Sequence, residues 1–478
     1  MTDAPLWTVR EIIAATGAAL RGAGEGETLG ERPVYGLSFD TRSLAKGDLF
    51  IALSGARDGH DFAQAAADKG AAAALLTHRP ADLSEALPGL MVDDPLRALE
   101  DLARAARQRC FGALVAVTGS VGKTTTKEML RAALSPLGEV HAAAKSFNNH
   151  IGVPISLASL PQQAAFGVFE IGMNHAGEIT PLVDLVRPHV AIITSVAAVH
   201  LENFSSVDGI ADAKAEILSG IRRGGAAVLP SDNPYYERLV SRARECGVER
   251  IVPFGFGDGA RPGIWGTAPV MIEGGSRTEI AIAGERHVLE LGVPGTHQVS
   301  NALAVIAAGA ALGLDLESMI EGLASFRAGA GRGARHHVTI RGKKVLVLDE
   351  SYNANPTSMA SALAQLGETE PVAGGRRLAV LGEMKELGPT SDALHAGLAG
   401  PIEDAGTARV WLAGSGMAPL RDALPADRVA EWAPKAPDLL SNLVDSLEQG
   451  DVVLFKGSNA AGIGALLEAF LAKTDRAG

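Results

Sequence analysis

Thr118-Gly119-Ser120-Val121-Gly122-Lys123-Thr124 decides how this chain is read. The apolar run Leu114-Val115-Ala116-Val117 precedes it, and Met129, Leu130, Ala133 and Leu134 follow at helical spacing. Strand, glycine loop and helix in that order build a phosphate cradle. Amides of the loop and of the helix start point at the anion, and Lys123 adds positive charge. The Thr124 hydroxyl is placed to meet Mg²⁺. The standard phosphate loop reads G-x-x-x-x-G-K-[ST]. Here only Ser120 and Val121 separate Gly119 from Gly122, and Val117 stands where the first glycine belongs. The loop is shortened, which makes most switch GTPases and motor ATPases poor matches.

A length of 478 residues suggests several domains. Hydrophobic residues make up 47% and aromatics only 4%, so the cores are built mainly from Ala, Val, Leu and Ile. A net charge of −12 and the lack of a long basic patch argue against a nucleic-acid binder. The two cysteines, Cys110 and Cys246, form no CxxC pair, which points away from a disulfide framework or zinc site and toward a reducing compartment. The first residues do not resemble a secretory leader, and no apolar run approaches the ~20 residues that span a bilayer. A cytoplasmic protein without stable membrane insertion is expected.

Three blocks emerge, and the fold class expected is α/β with three domains. Residues 1–110 form a small α/β domain with strand candidates Asp48 to Leu53 and Ala73 to Leu76. Residues 111–328 open with the phosphate loop and continue with apolar runs Gly167 to Ile171, Val190 to Ser195 and Ala226 to Leu229. Helical patterns alternate with them, which predicts a parallel sheet. The stretch from Val252 to Gly295 is rich in Gly and Pro and reads as irregular. Arg327 to Arg335 reads as a linker. Residues 329–478 hold four apolar runs, Val345 to Leu348, Leu378 to Leu381, Val410 to Ala413 and Val452 to Phe455, which predict a Rossmann-like, doubly wound domain. The glycines at 329, 331 and 333 precede its first strand, whereas a dinucleotide fingerprint follows one.

Open α/β sheets bind ligands beyond the carboxyl ends of their strands. Glu170 ends the run Val168-Phe169, so its carboxylate is placed either for Mg²⁺ or to cap a neighbouring helix. His200 follows the next strand as a ligand candidate, although a lone His is more often structural. Spacing makes Lys214 an exposed helix lysine. Asn148 and Asn149, in Lys145-Ser-Phe-Asn-Asn-His-Ile-Gly-Val-Pro154, suit either substrate contacts or turns. Asn301 shares a helix face with His297 and suits either a base edge or a helix start. Asp349-Glu350-Ser351-Tyr352-Asn353-Ala354-Asn355-Pro356 and Lys456 each follow an apolar run directly and look like parts of a site.

Together these pieces resemble the Mur ligase family, ATP-dependent amide-forming enzymes of peptidoglycan synthesis. The resemblance spans the whole chain. It rests on the phosphate loop, Asn148-Asn-His-Ile-Gly-Val-Pro154, Glu170 with Asn174-His-Ala-Gly-Glu178, Pro294-Gly-Thr-His297 with Asn301, Ser351-Tyr-Asn-Ala-Asn-Pro356 and Gly382-Glu-Met-Lys-Glu-Leu-Gly388. It is strongest to the branch that joins D-alanyl-D-alanine to UDP-N-acetylmuramoyl-tripeptide. Asp40-Thr-Arg42 and Gly47-Asp-Leu-Phe-Ile-Ala-Leu53 are similar to the uridine-nucleotide pocket of that branch and of the preceding, third-residue-adding ligase. When it uses diaminopimelate, that ligase carries Asp-Asn-Pro-Arg in its last domain. Here Asp232-Asn233-Pro234 lies in the middle block before Tyr235 and is a decoy.

The resemblance implies an ADP-forming ligase that uses ATP and Mg²⁺. It makes residues 1–110 the UDP-muramoyl-peptide domain, 111–328 the ATP domain and 329–478 the C-terminal ligase domain. Lys123, Glu170, His200 and Lys214 become the catalytic set. Gly119, Ser120, Val121, Gly122, Lys123, Thr124 and Thr125 hold the ATP phosphates, with Arg332 reaching them from the third block. Asn301 meets adenine, and Asp349 or Glu350 the nucleotide. Thr124, Glu170, His200 and a carbamylated Lys214 hold metal. Phe39, Thr41, Arg42, Asn148 and Asn149 serve the UDP substrate, and Tyr352, Asn353, Asn355 and Lys456 the D-alanyl-D-alanine side. The family usually shows Asp-Asp before Ser-Tyr-Asn, whereas this chain has Asp349-Glu350. The expected partners are the two substrates, with no nucleic acid, and the expected state is a monomer. A folylpolyglutamate-type ligase is disfavoured by the first block, and a plain switch or transport ATPase by the short loop and the extra domains.

Overall fold

The computed structural model describes residues 4–22, 27–55, 57–144, 146–199, 201–282, 284–372 and 374–475. Three main sheets follow one another along the chain. In the first, five strands run from edge to edge as Ala19–Arg21, Gly89–Met91, Ala73–Leu76, Asp48–Ile51 and Gly36–Ser38. Only Ala19–Arg21 is antiparallel to its neighbour.

Helix Pro95–Arg109 leads out of this sheet. Asp94 caps it by accepting from the amides of Leu96 and Arg97, and proline opens its first turn. Its apolar face, with Leu99, Leu102, Ala103 and Ala106, packs on helix Gly152–Ala158 of the second block. One continuous apolar core therefore contains Trp7, Ile12 and Leu49 from the first block together with Leu114, Val153 and Phe169 from the second. The Trp7 indole N–H donates to Ala158 O at 2.9 Å across that junction.

The central sheet has ten strands among the described residues. Its parallel part runs Val140–Ala142, Phe166–Glu170, Ala113–Thr118, Val190–Ile193, Ala226–Pro230, Arg250–Phe256 and Ile264–Gly266. Successive side chains alternate between faces. Leu114 and Ala116 enter the core shared with the first block, while Val115 and Val117 pack under helices Lys123–Leu134 and Thr296–Leu312. The stretch read as irregular is an antiparallel extension of the same sheet, with Val270–Ile272, Gly275–Ile282 and Glu285–Leu291. Buried and more exposed residues alternate along its longer strands, as from Ser276 to Ile282, so no uninterrupted apolar run marks them.

Among the described residues the third sheet has six strands in the order Ala334–Ile340, Lys343–Glu350, Val452–Lys456, Arg377–Gly382, Arg409–Ala413 and Val429–Ala433. The four expected apolar runs form its centre. The end of the supposed linker becomes the antiparallel edge strand Ala334–Ile340. Its two faces carry separate cores, one with Leu381 and Leu454, the other with Val380 and Phe455. No helix among the described residues is long and apolar enough to cross a membrane.

Candidate active site

Strand Ala113–Thr118 delivers the shortened loop at its carboxyl end, and helix Lys123–Leu134 begins at once. Gly122 precedes that helix with φ +86°, and a Cβ there would lie 2.4 Å from Asn301 Oδ1. Only glycine fits so close an approach in that conformation. Gly122 at the N-cap has no side chain to cap the helix, so its first amides are left for an anion. The amides of Ser120 and Val121 are used differently. They donate to Ser195 O at 2.9 Å and Ser195 Oγ at 3.1 Å, which ties the loop to the end of the next strand.

Lys123 Nζ donates to Gly119 O at 2.7 Å. Burial lowers its pKa, the Glu170 carboxylate acts against that, and Arg332 adds to it. Glu170 is buried at the end of its strand. It accepts from Thr124 Oγ1 and from Asn148 Nδ2, each at 2.7 Å. Of the two readings of Glu170, the helix cap does not occur: its oxygens face the phosphate loop. Asn149 takes the turn role instead, accepting from the Gly152 amide at 2.8 Å.

Lys214 overturns its spacing-based reading. It is 2% exposed, and burial followed by the charge of Lys123 lowers its pKa well below the ordinary lysine value. Among the described residues its amine has no hydrogen-bond or ion-pair partner. His200 and Lys145 lie outside the described residues. No cluster of three or more His, Cys, Asp or Glu able to hold a metal occurs among the described residues.

The third block closes over this floor. Arg332 lies over the Tyr352 ring at 3.8 Å, and its Nη2 donates to Ser146 Oγ at 3.3 Å. Ser146 Oγ is itself 3.3 Å from Thr124 Oγ1, so it joins the two blocks. Sequence reasoning assigned no role to Ser146, although it sits in the quoted Asn-Asn loop. Asp349 turns inward, accepting from the Gly331 amide at 2.6 Å and Ser351 Oγ at 2.6 Å. Glu350 faces the cavity, 3.8 Å from Lys456 Nζ. Burial raises its pKa, against the pull of Lys456, and burial lowers that of Lys456. Lys456 also donates to Asn353 O at 3.0 Å. Asn355 caps helix Pro356–Glu368 in a reciprocal pair with Ser358.

A cavity of about 450 Å³ lies between the second and third blocks. Lys123, Glu170, Asn301, Arg332, Glu350 and Lys456 all line it. Asn301 lies within helix Thr296–Leu312, well past its first residue, so it caps nothing. Gln298 Oε1, on the same helix, is buried without a hydrogen-bond partner among the described residues. His297 also lines the cavity, and burial, helped by Lys456, lowers its pKa to about 4. A second cavity, about 1070 Å³, opens on the far side of Arg332 and reaches Phe147. The Phe147 ring lies 6.2 Å from that of Phe39 in the first block. Arg42 pairs with Asp40 at 2.7 Å on the surface, and the Thr41 carbonyl accepts from Lys69 at 2.6 Å. Neither residue lines the nucleotide-sized cavity.

The chain matches the Mur ligase family catalytic domain over residues 33–107, the Mur ligase middle domain over 117–309, and the Mur ligase glutamate ligase domain over 334–459. It is 37% identical over 434 residues to the UDP-N-acetylmuramoyl-tripeptide--D-alanyl-D-alanine ligase of Escherichia coli (strain K12), covering 90% of this chain and 92% of that relative. The chain belongs to the Mur ligase family.

Solved structures agree with this Mur ligase along its length. The crystal structure of MurF from Acinetobacter baumannii superposes with a TM-score of 0.83 at 28% identity, covering 98% of this chain and 99% of the other. MurF from Thermotoga maritima in complex with ADP superposes at 0.75 and 26% identity, covering 92% of this chain and 97% of the other. The three-domain α/β architecture expected from the resemblance is the one found.

Proposed function

We infer that this Mur ligase joins D-alanyl-D-alanine to UDP-N-acetylmuramoyl-tripeptide at the expense of ATP, in peptidoglycan precursor synthesis. The observation that carries the reading is one cavity lined by a phosphate loop from one domain and by Arg332, Glu350 and Lys456 from another. Groups split in this way form a complete site only when the domains meet, which suits a reaction that must exclude water.

ATP fits the residues present. The uncapped start of helix Lys123–Leu134 and the Lys123 ammonium would take its phosphates, and Arg332 would approach them from the other domain. The orphaned Gln298 Oε1 and Asn301 offer polar contacts for adenine. Glu350, not Asp349, is the carboxylate open to the nucleotide. A divalent cation fits as well, since Mg²⁺ prefers one or two carboxylates together with substrate phosphates. Thr124 and Glu170 would hold one ion, and His200 with a carbamylated Lys214 a second. Bound there, Mg²⁺ would neutralise charge on the phosphates. Carbamylation needs a neutral amine, and burial lowers the Lys214 pKa in the direction of that form.

The terminal carboxylate of the tripeptide attacks the γ-phosphorus of ATP, and ADP leaves. The resulting acyl phosphate gives the carbonyl a good leaving group. The amine of D-alanyl-D-alanine attacks that carbon, phosphate departs with the former carboxylate oxygen, and the ammonium proton is lost to solvent. Lys123 and Arg332 oppose the charge that builds on the transferred phosphoryl group.

Residues 1–110 would hold the UDP-muramoyl end, with Phe39, Thr41, Arg42 and Asn148 near the path of the substrate. The larger cavity beside Phe147 and Arg332 gives the peptide a route to the phosphate loop. Residues 111–328 would bind ATP. Residues 329–478 would present the amine, with Tyr352, Asn353 and Lys456 at that side. A reaction that consumes ATP and a UDP-linked precursor would run in the cytoplasm, and a monomer is the expected state.

The test is phosphate release from ATP with both substrates present and with each omitted in turn. Release that needs both, and a product heavier by one dipeptide less water, is expected. Release with neither would reduce the chain to an ATPase.

A further inference from the structure

The segment Gly382-Glu-Met-Lys-Glu-Leu-Gly388 has no part in the cavity, yet it is held as firmly as a core element. Met384 and Leu387 are each 3% exposed. The Met384 amide donates to Nε2 of the fully buried His395 at 2.9 Å, and Nδ1 of that ring lies 2.8 Å from Ser391 O. The two bonds define one neutral tautomer, with Nδ1 as the donor. Glu383 accepts from the Gly416 amide at 3.0 Å through its side chain, and from Ser458 Oγ at 2.7 Å through its carbonyl. Ser458 stands two residues beyond Lys456 of the cavity. Both ends of the segment are thus fixed to the third domain.

Its tip meets the second domain. The Glu202 amide donates to Glu386 O at 3.4 Å. Glu386 has φ +63°, a conformation that a non-glycine residue keeps only where its surroundings impose it. Gly388 has φ +57°, and a Cβ there would lie 3.2 Å from Glu202 Cα. A left-handed carbonyl and a bare glycine therefore converge on one residue of another domain. Glu202 lies just ahead of helix Val207–Ala215, which Ser206 caps and which carries the buried Lys214.

We propose that Gly382–Gly388 is a rigid prong whose contact with Glu202 positions the Lys214 helix when the third domain docks. Glu386, through its carbonyl, and Gly388 are positioning residues. Docking that completes the nucleotide cavity with Arg332, Glu350 and Lys456 then also sets the far side of the phosphate loop. In its catalytic consequence the proposal rests on the ligase reading above.

The experiment combines hydrogen exchange with kinetics on the full chain. In the wild type, a non-hydrolysable ATP analogue is expected to slow exchange of the 201–206 amides at least about tenfold. Gly388→Ala, strained by its φ and crowded against Glu202, is expected to lose that protection. It should also lower kcat about tenfold or more, with little change in KM for the UDP-linked substrate. Retained near-ultraviolet circular dichroism and ADP binding establish that the variant is folded. Unprotected 201–206 amides in the wild type, or a Gly388→Ala protein with normal protection and kcat, would overturn the prong. The wild-type exchange arm needs no turnover, so its outcome is separate from any failure of ligation. Failure of ligation itself would appear as a wild-type protein that forms no product.

Discussion

Lys123 and Lys214 sit close enough for the charge of one to depress the pKa of the other, and burial depresses both. Two neighbouring ammonium groups are unfavourable there, and Glu170 opposes the shift at Lys123 but is not among the causes at Lys214, which favours Lys123 as the cation for phosphate. Lys123→Ala should lower ATP-dependent ligation by roughly 10²–10³-fold, the usual range for losing a preorganised charge-stabilising group. Phosphate-release kinetics would measure it, and near-normal turnover would refute the role. Carbon-13 bicarbonate should produce a carbamate carbon signal that is absent from Lys214→Ala. His297 makes a stability claim. Its pKa falls from 6.5 to about 4 in the fold, so the fold prefers the neutral ring. Its contribution is complete above about 6.5 and is lost as pH falls toward 4. Denaturant titrations should show about 2–3 kcal/mol less acid sensitivity in His297→Gln than in the wild type over that window. Glu170 was legible because a strand end in a parallel sheet is a site by geometry. Spacing missed Lys214, because burial imposed by the folded domain leaves no mark along one helix, and only the resemblance put it in the site.

At the level of elements, the parallel strands were legible because each is an uninterrupted apolar run, as a strand buried on both faces must be. The antiparallel extension after Phe256 was not. Its strands Val270–Ile272, Gly275–Ile282 and Glu285–Leu291 follow one another through short connections at Gly274 and Gly284, and charged residues such as Arg277, Glu279, Arg286 and Glu290 interleave their apolar ones, so no uninterrupted apolar run marks them. The supposed linker shows the same limit. Arg327 to Arg335 reads as a linker, yet Arg332 reaches into the cavity and the Gly331 amide is held by Asp349. Helix Pro95–Arg109 is the element that packs the first domain on the second. Asp94→Ala removes its cap and should cost about 1 kcal/mol in thermal or denaturant unfolding. It should leave kcat near the wild-type value, because Asp94 lines neither cavity at the phosphate loop.

Across the whole molecule, one apolar core joins the first two domains, while the third keeps its own two cores. Calorimetry should therefore show residues 1–328 unfolding in one transition and the C-terminal domain in another. Trp7→Ala, which empties a buried site in the shared core and removes the bond to Ala158, should lower the first transition by roughly 3–5 kcal/mol. Three domains were legible in the sequence as three blocks. Their unequal coupling was not, because contacts between blocks leave no periodic trace. The central claim concerns what the meeting of domains two and three accomplishes. It is tested most directly by labelling the terminal carboxylate of UDP-N-acetylmuramoyl-tripeptide with heavy oxygen and analysing the phosphate released during ligation. Attack of the carboxylate on ATP predicts one labelled oxygen in each phosphate and one label lost from the new amide. Unlabelled phosphate, released at the same rate as product, would contradict the acyl-phosphate route.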